Sequence, residues 1–156
     1  MNIKSRSFYL ICFLFISFVT ISLAHAEQFR STGTTDVYFS PHGGCTDATL
    51  KELYNAKSEI LVQAYSFTSR PIAKALIDAK KRGVSIVVVL DKSQQSQRYS
   101  SADFVAHAEI ITYVDSAHAI AHNKIMIIDR STLITGSFNF TKAAEEKNAE
   151  NLLIIK

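Results

Sequence analysis

Residues 122–139 constrain the chain most, reading His-Asn-Lys-Ile-Met-Ile-Ile-Asp-Arg-Ser-Thr-Leu-Ile-Thr-Gly-Ser-Phe-Asn. Two short β-prone runs, 125–128 and 133–135, flank the polar turn signal Asp129-Arg130-Ser131-Thr132, which predicts a β-hairpin. A two-residue loop at Arg130 and Ser131 sets Asp129 opposite Thr132, Lys124 opposite Ser137 and His122 opposite Asn139. Strand side chains alternate between faces, and directly opposed residues share one. His122, Lys124, Ser137 and Asn139 are therefore expected on one patch, with Asp129 on the other face.

Such a patch suits a phosphate. Lys124 supplies a compact positive charge, Ser137 and Asn139 supply neutral donors, and Gly136 lets a ligand approach the backbone. His122 adds an imidazole that can attack phosphorus or move a proton near neutral pH. A lone His beside a lone Lys would read as incidental polarity on a half-buried hairpin. Four convergent groups read as a site.

The remainder alternates strand and helix. Residues 36–40 predict a strand, the Pro41-His42-Gly43-Gly44 loop follows, and Thr46 is expected to cap a helix with Leu50, Leu53 and Tyr54 on one face. A strand over 60–67 leads to a second helix that starts at Ser69 and Pro71. Its Ile72, Ala75, Leu76 and Ala79 recur at helical spacing before Lys80-Lys81-Arg82 and a terminating Gly83. The continuous apolar run 84–90 predicts a central strand buried on both faces. A strand over 110–114, the hairpin, a short helix capped by Thr141 and a last strand over 150–155 complete the order. This alternation implies an α/β fold, a mixed β-sheet sandwiched between helices.

Residues 1–26 stand apart. Lys4 and Arg6 form a positive start, 8–23 is mostly apolar, and Ala24-His25-Ala26 is an A-x-A site, the pattern of a secretory signal peptide. An uncleaved membrane anchor is the competing reading, because the apolar run nears the short limit for a span. Cleavage of 26 from 156 residues leaves 130, enough for the single domain 27–156. Net charge falls from +3 to +1, since Lys4 and Arg6 leave and no acidic residue does. Any attraction for a polyanion must then come from local charge. Cys12 leaves too, and Cys45 stays as a lone thiol, either buried or paired between chains. Neither a zinc-ligand spacing nor HExxH occurs, so no metal and no cofactor are expected. The polar stretch 92–103 reads as a long loop, in which Arg98 and Tyr99 could meet a phosphate and a base.

The pattern His122-x-Lys124, Asp129, Gly136-Ser137-x-Asn139 resembles the HKD motif of the phospholipase D superfamily at every defining position. The flanks 64–69, Ala-Tyr-Ser-Phe-Thr-Ser, and 148–151, Asn-Ala-Glu-Asn, are similar to those of its small bacterial Nuc-type endonucleases. The resemblance implies a phospholipase D/nuclease-like fold and phosphodiester cleavage through a covalent phosphohistidine. In that scheme His122 attacks, Lys124 and Asn139 hold nonbridging oxygens, Ser137 supports the site, and Glu150 accepts a hydrogen bond that orients His122. Asp129 and Gly136 are structural members of the motif. Members of the family usually continue into a further helix, so the ending reads as a truncation, with an apolar face on 152–155 open to association.

The chemistry needs two histidines, and the motif occurs once. A symmetric homodimer in which both copies of His122 flank one phosphate meets that need, with His118 as the intrachain alternative. Three functions are consistent with these features. The first is an exported, periplasmic, metal-independent endonuclease acting on DNA, with RNA as a second candidate substrate. The second is a phospholipase or transphosphatidylase, for which the polar 92–103 loop and the absence of Trp offer no lipid-facing surface. The third is a non-catalytic nucleic-acid binding module, which would need neither His122 nor Glu150.

Overall fold

A computed structural model of the chain describes residues 32–95, 105 and 107–156. The signal and anchor readings of 1–26, and Arg98 and Tyr99 of the long loop, lie outside the described residues.

Seven strands form one mixed sheet among the described residues: β1 (Thr35–Ser40), β2 (Glu59–Ala64), β3 (Ser85–Asp91), β4 (Ile111–Asp115), β5 (Lys124–Ile128), β6 (Thr132–Gly136) and β7 (Glu150–Ile155). Their spatial order is β1-β7-β6-β5-β2-β3-β4. Strands β2, β3 and β4 run parallel, and every other neighbouring pair is antiparallel. Helices α1 (Cys45–Asn55), α2 (Arg70–Lys81) and α3 (Lys142–Glu146) complete the α/β architecture.

The helix ends follow local chemistry. Ser69 precedes α2 with Pro71 in its first turn, where a missing N–H costs nothing, and Gly83 leaves it at φ 91°. Thr141 caps α3 as expected, its hydroxyl accepting from the Ala144 N–H at 3.0 Å. Thr46 does not cap α1. The cap position falls two residues earlier, at Gly44, and the free N–H groups of Gly44 and Thr46 donate instead to the Glu145 carboxylate on α3, at 3.2 and 2.7 Å.

The core lies on one side of the sheet. Ile60, Val62, Ile86, Val88, Met126, Ile134, Leu152 and Ile154 project there and join Leu53 of α1, Ile72 and Leu76 of α2 and Ala144 of α3 in one buried cluster. Among the described residues the three helices thus share one face. The other face carries Val37, Phe39, Ile111, Tyr113 and Ile127 in the open, with Phe39 65% and Tyr113 59% exposed. The 84–90 run differs from expectation accordingly. Strand β3 lies next to the edge strand β4, with Ile86, Val88 and Leu90 buried and Val87 and Val89 only half-buried. Its β-branched residues suit a pleated surface in contact on both sides, and do not require cover on both faces.

The last strand is also less exposed than its sequence suggests. Strand β7 lies between β6 and β1, with Thr35 opposite Ile155 and Ser40 opposite Glu150. Leu152 and Ile154 are buried, while Leu153 and Ile155 are half-buried. Cys45 is fully buried and unpaired, its thiol pushed up to about 11 by burial and then by the Glu145 charge.

Candidate active site

The hairpin forms, but in a different register. Ile128 pairs with Thr132, Ile127 with Leu133 and Met126 with Ile134, so three residues, Asp129 to Ser131, make the loop. Asp129 and Arg130 both adopt positive φ, 52° and 58°, and the Ser131 N–H closes the turn on the Ile128 carbonyl at 3.1 Å. Asp129 tolerates this conformation better than most side chains. Its carboxylate also collects the backbone N–H groups of Lys57, Ser58 and Glu59 and the Ser58 hydroxyl, all within 3.0 Å. Desolvation would raise this carboxyl, but those hydrogen bonds outweigh it and hold the group far below the usual carboxylate range. Asp129 therefore locks the turn to the start of β2, at the end of β5 away from Lys124.

The one-residue slip overturns the expected facing pairs, Lys124 with Ser137 and His122 with Asn139. Lys124 points with Met126 and Ile128 toward the helices, and the register, continued two residues past Met126–Ile134, sets Gly136 and not Ser137 across from it. His122 precedes β5, and Ser137 and Asn139 follow β6, so all three have left the ladder and strand alternation does not place them. Gly136 has a structural reason of its own: at φ 141° its added Cβ would stand 2.3 Å from the Asn151 carbonyl oxygen of β7. It makes room for a neighbouring strand, not for a ligand.

Lys124 and His122 do meet. The buried Lys124 ammonium lies 3.1 Å from His122 Nδ1, 2.8 Å from the His122 carbonyl oxygen and 5.1 Å from the centre of the Tyr65 ring. The exposed His122 ring rests on Tyr65, with centroids 4.4 Å apart. Burial lowers the lysine's proton affinity, and the nearby Glu150 charge partly restores it. Nδ1 is thus engaged, and Nε2 has no hydrogen-bond partner among the described residues.

The other predicted members form a second group. Ser137 donates its N–H to the Asn151 carbonyl at 3.1 Å and its hydroxyl accepts from the Asn151 N–H at 3.0 Å, which ties β6 to β7 beyond Gly136. Asn139 has a buried side-chain oxygen with no partner among the described residues, while its carbonyl accepts from Thr141 N–H at 2.7 Å. Glu150 accepts from the Asn148 amide at 3.2 Å. No hydrogen bond joins Glu150, Ser137 or Asn139 to His122, so the expected Glu150–His122 bond is absent from this structure, and the Glu150 charge instead raises Lys124 against the effect of its burial.

Three residues complete the setting: Tyr65, quoted above only as part of the 64–69 flank, and Asp91 and Asp115, which were not singled out. Tyr65 carries the His122 ring, and its N–H donates to the Asn123 carbonyl at 2.8 Å. Asp91, buried at the end of β3, accepts from the Ala121 N–H at 2.8 Å and from the Ser93 N–H at 2.9 Å. Its contacts with Ser93 and then Ala121 lower it to about 2. Asp115 at the end of β4 receives His118 Nδ1 at 2.8 Å. An acidic residue directly after a parallel-type apolar run, as in 84–90 followed by Asp91, was the available signal, because α/β sheets place ligands at the carboxyl ends of their parallel strands. Beneath lie Phe67, Phe138 and Phe140, fully buried, each contributing about 2–3 kcal/mol by its burial. The Phe140 carbonyl accepts from the Thr68 and Ser69 N–H groups, so this floor is fixed to the start of α2. No three His, Cys, Asp or Glu side chains converge as metal ligands among the described residues.

The site is thus an exposed histidine beside a buried lysine at the carboxyl edge of the parallel strands of a mixed sheet. Residues 49–156 match the family described as Cardiolipin synthase, PLD-like domain, and the chain belongs to it. It is similar to the solved phospholipase D family member Nuc from Salmonella typhimurium, at 44% identity and a TM-score of 0.75 over 78% of this chain and 82% of that one. NucT from Helicobacter pylori shares the fold, with a TM-score of 0.70 at 23% identity over 78% of this chain and 84% of that one. A curated relative is the Phospholipase D of Rickettsia felis, 43% identical over 131 residues, which are 84% of this chain and 64% of the relative. The human Mitochondrial cardiolipin hydrolase is 31% identical over 115 residues, 73% of this chain and 46% of that protein. The chain thus spans under two thirds of the length of these curated relatives.

Proposed function

We propose that this domain hydrolyses phosphodiesters through His122, and that its substrate is nucleic acid. The observation that carries the chemistry is the His122–Lys124 pair, an exposed imidazole with one nitrogen held and the other open, beside a buried ammonium. Nε2 attacks phosphorus and forms a P–N bond as the P–O bond to the leaving group breaks. A second imidazole gives its Nε2 proton to the departing oxygen, then takes one from the water that cleaves the phosphohistidine. Lys124 neutralises the nonbridging oxygens, and the Asn139 side-chain NH2 is the motif's amide donor for them.

The second imidazole is His122 of another copy in a homodimer. Within one chain His118 is the sequence-near alternative, and its Nδ1 is bonded to Asp115. We further propose that the domain acts outside the cytoplasm, in the periplasm, after residues 1–26 are removed. Nucleic acid is preferred because the likeness to Nuc covers most of both chains. The second reading, a phospholipid diester, is favoured by the names of the curated relatives and by Ile120, 60% exposed two residues before His122.

The test is incubation of the purified protein with plasmid DNA, RNA and phospholipid vesicles in excess EDTA. Nucleic-acid cleavage under chelation is expected. Cleavage of vesicle lipid alone would favour the second reading, and activity that requires added magnesium would refute the phosphohistidine route.

A further inference from the structure

The segment that delivers His122 crosses the carboxyl edge of the sheet before reaching it. Leaving β4 at Asp115, it passes beyond β3, where the His118 carbonyl accepts from Lys92 Nζ at 3.1 Å. It is pinned at the end of β3 by the Ala121–Asp91 bond and beyond β2 by the Tyr65–Asn123 bond. Neighbouring strands lie about 4.8 Å apart, so the strap shifts by about that much in going from β3 at His118 to β2 beyond His122. Four residues of chain allow at most about 14 Å.

The His118 ring is held in place. Asp115 accepts its Nδ1 at 2.8 Å and also the N–H groups of Ala117 and His118, at 3.0 and 3.1 Å. The His118 side chain is nevertheless 73% exposed, against 13% for Asp115. The carboxylate is therefore committed to three donors, while the exposed ring has Nδ1 held and belongs to the residue whose carbonyl receives the exposed Lys92 ammonium. The strap itself is already tied at Asp91 and Tyr65, so its anchoring leaves this ordered imidazole unexplained. Among the described residues Lys92 is the lysine bonded to the strap outside the His122 site, and the His118 ring beside that bond can donate from Nε2 when it is protonated.

We propose that Lys92 and His118 form a second phosphate subsite, which binds a backbone phosphate neighbouring the one at His122, so that the edge grips at least two consecutive phosphates of a polynucleotide. This rests on the nucleic-acid reading above and deepens it. A diester with a single phosphate leaves the subsite empty. Phosphate contacts of this kind set register on the strand and carry no base preference, so cleavage should be indifferent to sequence.

The experiment compares Lys92→Gln, His118→Asn and the unaltered chain on three substrates: a single-stranded oligonucleotide, bis(4-nitrophenyl) phosphate, and vesicles of a lipid with two phosphates. Each substitution should raise KM for the oligonucleotide about fivefold to tenfold, with kcat within about twofold, and leave bis(4-nitrophenyl) phosphate hydrolysis unchanged. Lys92→Gln should also lower the slope of log affinity against log salt by about one. Lys92 is exposed, so its substitution tests the subsite without endangering the fold. Equal losses on bis(4-nitrophenyl) phosphate would assign His118 to the chemistry and overturn the subsite. An effect confined to the two-phosphate lipid would overturn it in favour of a membrane substrate. Oligonucleotide cleavage unaltered in both variants would overturn the subsite and leave the nuclease reading standing. Hydrolysis of bis(4-nitrophenyl) phosphate by the unaltered chain, with no cleavage of oligonucleotide, would overturn both.

Discussion

Lys124 turns back along its own strand to place its ammonium 3.1 Å from the Nδ1 of His122, two residues earlier. An ammonium can only donate. Nδ1 is therefore the acceptor, and a neutral His122 paired in this way carries its proton on Nε2, so this pair is the resting arrangement and not the attacking one. In the proposed mechanism a bound phosphate draws the ammonium away, and the ring that attacks must then hold its proton at Nδ1. Glu150, whose charge already acts on Lys124, is the carboxylate at hand for that role.

Glu150 supports the charged form of Lys124, while burial opposes it. A lowered lysine loses its proton as pH rises through its folded value, and with it the cation at the phosphate. Glu150→Gln removes the support, so the alkaline limb of the pH–rate profile should move to lower pH. A limb that stays put while kcat falls would show that Glu150 acts only on the histidine.

Asp129 separates fold from chemistry. Asp129→Asn keeps one of its two acceptor oxygens and loses the charge behind four hydrogen bonds, which should cost about 1–3 kcal/mol of stability. Because the folded carboxyl is depressed, its stabilising contribution is complete above an unfolded value of about 4 and is lost as pH falls toward the folded value. Denaturant titration at pH 7 and pH 3 should therefore show the largest difference between variant and parent at pH 7. Activity per folded molecule should persist in Asp129→Asn and vanish in His122→Ala and Lys124→Ala. A fully folded, inactive Asp129→Asn protein would contradict the separation.

The shared-site dimer makes a quantitative claim. If both copies of His122 serve one phosphate, a dimer with one His122→Ala subunit lacks either nucleophile or acid. When parent and variant chains are refolded together at varying ratios, activity should follow the square of the parent fraction. A straight line, with normal pairing of the variant alone, would make each chain self-sufficient.

Much of this was legible because hydrophobic period and turn residues are local signals. The ends of α2 follow from Ser69, Pro71 and Gly83, and β1 and β7 from short apolar runs. The hairpin register was not legible, since Asp129-Arg130-Ser131-Thr132 is compatible with a loop of two residues or three. The choice is made by partners some seventy positions away, the Lys57, Ser58 and Glu59 N–H groups that hold Asp129. Gly136 hides its reason in the same way, in the carbonyl of Asn151. The motif residues were found as residue types, whereas Tyr65, Asp91 and Asp115 matter through where three separate strands happen to end.

One pairing bears on the order in which the molecule can be made. Strand β1 has β7 as its neighbour in the sheet, and Thr35 sits opposite Ile155. A chain emerging from the ribosome carries β1 first, as an extended segment with no partner, until residues of the 150s follow it out. Closing so long a loop is slow compared with forming α2 or the β5–β6 hairpin. Glu150 lies on that same strand, opposite Ser40, so the carboxylate whose charge supports Lys124 is placed only as β1 finds its partner, and the sheet and its site are completed in one step.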